Sequence, residues 1–244
     1  MKILVFLSKQ ILKTLSLLYL YKMNNAPLGI DLYLQPTYFV DCEQPDIRRF
    51  VKNTIGKEID KKKIAILLYN AVRDGWKYNP YNIDLHHNAM KASNIFNRES
   101  KSGYCIEKAC LLNACLRVAD IPSRFCFFDV KNHIGVEKLV KILNTDVLVF
   151  HACSEMYLDG KWVKATPAFN KELCLHLGVQ PLEFDGEHDS VFQEYDKQGG
   201  LFMEYLKSYG SFHDVPHDMF VLLLHQYYPH FFLQQEEKAM LKIS

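Results

Sequence analysis

Two residues stand out as a chemical pair, Cys105 and His151. A cysteine at the first turn of a helix meets unpaired backbone N–H groups and the positive end of the helix dipole, both of which favour a thiolate. A histidine carried on a strand can take the thiol proton and later return it to a leaving amine. A polar residue on the next strand, Thr166, completes the order nucleophile, base and orienting group, with a hydroxyl able to act on the imidazole directly or through a water. Each residue also has a plainer role: free cysteines are often small buried hydrophobes, and a strand histidine is often only half-buried.

The elements that must position this pair are legible on either side of it. SKSGYCIEKACLLNACLRVADIPSRF passes from a Ser/Gly loop into a helical pattern from Tyr104 to about Ala119, closed by Ile121 and Pro122. Cys105, Ala109, Leu112 and Leu116 form its inward stripe, and Cys110 and Cys115 read as filler. IPSRFCFFDV follows as a strand, with Arg124 equally suited to solvent or to an acidic partner.

DVLVFHACSEMYLDGKWVKATPAF is then a hairpin turning at Asp159-Gly160. Pairing Leu158 with Lys161 aligns Glu155 with Lys164, Cys153 with Thr166 and His151 with Ala168. One face then carries His151, Cys153, Glu155, Tyr157, Trp162, Lys164 and Thr166, and Pro167 should end the strand. Glu155 and Lys164 read most simply as a cross-strand ion pair.

These two stretches resemble the transglutaminase-like superfamily, whose core is a papain-type cysteine hydrolase fold. The hairpin residues His151, Glu155, Tyr157, Gly160 and Trp162 fit that family's pattern H-x-x-x-E-x-Y-x-x-G-x-W, and Cys105 fits the cysteine that opens its central helix. The resemblance covers about residues 60–170. It implies an α+β fold, a helix packed against an antiparallel sheet, and attack by Cys105 on an amide or peptide carbonyl. One position departs from the pattern: the aspartate of the family's D-P ending is Thr166, before Pro167. Threonine carries no charge to stabilise an imidazolium, so another acid must serve or turnover is slower. Asp185, beside Gly186, is the favoured third catalytic residue, with Glu155 and Thr166 as further orienting candidates. A turn acid is the plainer reading of Asp185.

Elsewhere the sequence predicts helices over about 46–54 and 60–75. His86 and His87 lie in an aperiodic stretch with no third metal ligand at motif spacing, and are expected to face solvent. LFMEYLKSYG fits a helix, and VPHDMFVLLLHQYYPHFF is apolar enough to pack on the core or on a partner; His217, His225 and His230 read as packing residues. The expected division is an apolar amino-terminal segment over 1–23, a core domain over 24–185 and a helical extension over 186–244.

With 244 residues, 29 basic against 28 acidic side chains and a net charge of +1, the chain is too large to need disulfide stapling and lacks the basic surface of a nucleic-acid binder. Its seven scattered cysteines, with no CxxC pair, point to a reducing, cytoplasmic compartment and no thiolate metal site. No cofactor fingerprint is present, so no cofactor is expected, and the expected partner is a peptide or other amide-bearing molecule. Residues 1–22 are apolar but broken by Lys9, Gln10 and Lys13, short of the roughly 18-residue run a spanning helix wants. They read as a membrane-lying or domain-covering amphipathic helix, an imperfect export signal, or sequence upstream of a true start at Met23. The functional alternative to an enzyme is a catalytically impaired fold acting as a protein-interaction module.

Overall fold

The computed structural model describes residues 29–133, 137–191, 200 and 203–230. The apolar segment 1–22 lies outside them. Helices α1 (Pro45–Ile55), α2 (Lys61–Gly75) and α3 (Ala92–Asn97) precede α4 (Cys105–Val118), and shorter α5 (Glu137–Leu143) and α6 (Lys171–His176) and the longer α7 (His217–Tyr227) follow. Strands β1 (Lys77–Tyr78) and β2 (Ser102–Gly103) form a small parallel pair; β3 (Ser123–Asn132), β4 (Val147–Leu158), β5 (Lys161–Ala165) and β6 (Met203–Phe212) form an antiparallel sheet ordered β5-β4-β3-β6. The architecture is α+β, as expected.

α4 is the hub. Every residue from Ile106 to Arg117 is buried, so the helix has no solvent face and the inward stripe of four residues understated its burial. It packs on β3 and β4 on one side and on α1, α2 and α3 on the other. Two charged residues in its first turns are spent on holding it. Glu107 receives two bonds from Arg98, at 2.6 and 2.9 Å, and the Tyr104 amide at 3.2 Å. Gly103 allows that approach, because a Cβ there would stand 3.1 Å from a Glu107 oxygen. Lys108 is fully buried and donates to the carbonyls of Arg73, Trp76 and Ala168 at 2.6–2.8 Å. Burial pulls its ammonium down to about 7, and the three carbonyls hold the proton in place. One side chain thus ties the end of α2 and the chain after β5 to the helix.

The β4–β5 hairpin has the expected turn, with φ of 48° at Asp159 and 81° at Gly160, and the expected register from Leu158↔Lys161 to Ser154↔Ala165. There the ladder stops, so the pairs of Cys153 with Thr166 and His151 with Ala168 do not form. The Thr166 amide instead donates to the Ser190 carbonyl at 2.9 Å, and Pro167 has no N–H to continue.

Two other expectations are corrected. LFMEYLKSYG is not a helix: Met203–Phe212 is β6, paired along β3 with two register shifts that blur the two-residue period. The cysteines are not all free. Cys126 and Cys153 face each other across β3 and β4, their Cα atoms 5.2 Å apart, and are joined by a disulfide, leaving Cys42, Cys105, Cys110, Cys115 and Cys174 as thiols. A 27-residue separation hid a pairing that strand register creates.

Candidate active site

Cys105 opens α4 and lines a cavity of about 80 Å³, room for several water molecules, and His151 lines the same cavity. The structure therefore brings the sequence-predicted pair together. Tyr78, aligned by the β1–β2 pair, and Tyr104, the N-cap residue, line the cavity as well, together with Leu148, Phe220 and Tyr228. Among the described residues that line it there is no Asp, Glu, Lys or Arg.

The wall is fixed by its own bonds. Tyr228, just past α7, accepts the Val149 amide at 2.7 Å and donates to the Val147 carbonyl at 2.8 Å, pinning the start of β4. Immediately before His151, the strand bulges. Phe150 adopts φ of 62°, a left-handed conformation uncommon for a bulky residue, while the β3–β4 register slips between Phe128 and Val130. Asp129 holds the bulge: its carboxylate accepts the Phe150 amide at 3.0 Å and the Tyr209 hydroxyl at 2.9 Å, and Phe150 stacks on Phe127 at 4.1 Å. Burial raises the Asp129 pKa. Strain of this kind next to a candidate base is a means of aiming a side chain.

Electrostatically, the site opposes charge. The backbone amides of Ala152, Ile106 and Cys105 itself favour the thiolate, as the helix-start argument requires, but burial outweighs them and pushes the thiol up to about 11. Burial alone pulls His151 down to about 4. The resting pair is a neutral thiol and a neutral imidazole.

Among the described residues no carboxylate or hydroxyl hydrogen-bonds the His151 ring. Glu155 lies on β4 but accepts from Arg124 at 2.5 Å and Ser211 at 2.6 Å, with Lys164 at 3.5 Å. Arg124 also stacks over Trp162 at 3.9 Å, which answers the open question of its environment. Thr166 is buried, with its amide on Ser190 and its carbonyl accepting from Tyr69 at 3.2 Å. Asp185 lies on an exposed loop, where its carboxylate takes the Glu187 and His188 amides and the His188 ring, all at 2.7–2.8 Å. Those donors hold it well below the usual carboxylate range. It does not line the cavity. Asp129, the acid nearest along the ladder, was missed because its role depends on a bulge that no residue pattern announces.

Residues 48–167 match the family model of the transglutaminase-like superfamily. No curated protein matches the chain at a significant level. Among solved structures, a candidate cysteine protease from Cytophaga hutchinsonii shares 15% identity over 80% of this chain and 50% of its own, with a TM-score of 0.48. The periplasmic domain of TgpA from Pseudomonas aeruginosa shares 16% identity over 50% of this chain and 42% of its own, with a TM-score of 0.36. The chain thus spans at most half the length of either. The match to the transglutaminase-like superfamily thus takes in just under half of the chain, the stretch that contains both Cys105 and His151.

Proposed function

We propose that the protein is a cysteine-dependent hydrolase or acyl transferase acting on an amide or peptide carbonyl through a thioester. The observation that carries this reading is the cavity that Cys105 and His151 share, with Cys105 at the first position of a helix. Because burial opposes both charges, the proton moves to His151 as the S–C bond forms, not beforehand. His151 then protonates the departing amine, and water releases the acyl group as an acid, or a second amine accepts it. The unpaired amides at the start of that helix can also stabilise an oxyanion beside the sulfur. The uncharged lining suits an apolar group next to the scissile carbonyl.

A small thiol-directed electrophile tests the pair. Labelling confined to Cys105, lost in Cys105→Ala and slowed strongly in His151→Ala, supports the reading. Equal labelling of the thiols in the folded chain overturns it.

The absence of an acid on the His151 ring among the described residues favours one second reading, a catalytically impaired fold that binds a partner. Partner binding retained in full by folded Cys105→Ala, without turnover in the parent, distinguishes it.

Among the described residues no helix is long and apolar enough to cross a membrane. The Cys126–Cys153 disulfide supports an oxidising compartment over the cytoplasm. Thiol titration of the denatured, unreduced protein should find the five free cysteines and, after reduction, all seven. Seven before reduction overturns this placement.

A further inference from the structure

The helix that walls the Cys105 cavity begins at a second cluster, one that the proposed reaction does not use. His217 and Asp218 open α7, and His87 arrives from the short helical turn His87–Met90. His217 is 7% exposed, and its Nε2 lies 2.9 Å from the Leu85 carbonyl. A carbonyl only accepts, so the proton is assigned to Nε2 and the lone pair to Nδ1. That Nδ1 is buried and has no hydrogen-bond partner among the described residues. A lone pair buried without a partner is a cost the fold must carry.

What faces it is a ligand set. Oδ1 of Asp218 lies 3.9 Å from the His217 Nδ1 and 3.9 Å from the His87 Nε2, and the three ligand atoms all lie within 4.8 Å of one another. The two imidazole rings meet at 3.9 Å between centroids, and Phe39 stacks on His217 at an interplanar angle of 17°. A ring held by a carbonyl on one nitrogen, with the other left basic, has the tautomer and orientation that metal ligation requires.

We propose that His87, His217 and Asp218 bind a divalent transition-metal ion of the Zn2+ type. Two imidazoles and one carboxylate suit zinc, cobalt or nickel, whereas calcium and magnesium seek oxygen ligands throughout. Tetrahedral binding at about 2.0–2.1 Å sets the ligand atoms about 3.3–3.4 Å apart, so the pairs must draw together by roughly 0.5–1.5 Å. That movement falls on the exposed His87 and Asp218, while buried His217 stays fixed. The positive end of α7 opposes a cation, and the Asp218 carboxylate offsets it. The sequence concealed this set because 130 residues separate its histidines.

The test uses the full chain carrying Cys105→Ser, which removes the partly exposed thiol as a competing ligand. Zn2+ binding is measured by calorimetry, and Co2+ by its visible absorption. One ion per chain is expected, with tetrahedral cobalt bands and no thiolate charge-transfer band. His87→Ala and Asp218→Ala, both at exposed side chains, should each weaken Zn2+ binding at least about tenfold. Absence of binding at micromolar Zn2+, or an affinity that neither substitution changes, overturns the proposal.

Discussion

His151 and His217 are both buried, and burial lowers the pKa of both, yet their surroundings prepare them for different work. His151 shares an apolar cavity with a thiol and has no hydrogen-bond partner among the described residues. His217 has one nitrogen fixed by the Leu85 carbonyl and the other turned toward a carboxylate and a second imidazole. Among the described residues, the first site has a nucleophile and no acid; the second has an acid and no nucleophile. An imidazole's chemistry is therefore set less by burial than by what each of its two nitrogens meets.

The largest effect expected from breaking this contrast is at the sulfur. Cys105→Ala should abolish amide turnover, a loss of about a thousandfold or more, while the melting temperature stays close to that of the parent. Unchanged turnover would remove the nucleophile from the comparison.

His151→Gln comes next. Its rate should fall by about 10²–10⁴-fold, the usual share of a general base. The same variant reads out the desolvated ring. A folded-state pKa of about 4 against about 6.5 unfolded means that the unfolded chain binds more protons between those values. The stability His151 contributes is thus present above about pH 6.5 and is lost as pH falls toward 4, by about 3 kcal/mol. Chemical denaturation at both pH values should show a loss in the parent that is smaller in His151→Gln; identical losses would mean that the ring is not buried.

Asp129→Asn sharpens the account of how His151 is aimed. The amide oxygen still accepts one bond, so the variant should fold with about 1–2 kcal/mol less stability. kcat should fall roughly tenfold with KM little changed, as misalignment predicts. A pure stability loss with normal kcat would leave Asp129 a structural residue only. The smallest effect is expected for Asp185→Asn, because that carboxylate is already occupied by its own turn. Its rate should stay within about twofold of the parent, and a loss of a hundredfold would restore it as the third catalytic group.

How much of this was legible follows from the range of each interaction. The span of α4 and the Asp159-Gly160 turn rest on local backbone preferences, and were placed to within a residue or two. The strand at Met203–Phe212 was read as a helix because its bulges break the alternation that marks a strand. Asp129 passed as an ordinary strand residue because its carboxylate matters only beside the left-handed Phe150 of another strand. Cys126 and Cys153 looked unrelated until sheet register made them neighbours.

By itself the sequence determined the helix that Cys105 opens, the hairpin that carries His151, and hence the α+β core they belong to, since periodicity and turn chemistry act within a few residues. Only the tertiary structure decided that burial leaves thiol and imidazole uncharged, that Glu155 and Asp185 are bonded elsewhere, and that His87 meets His217. Desolvation and ligand geometry depend on what the rest of the chain packs around a group, and no spacing along the chain encodes that.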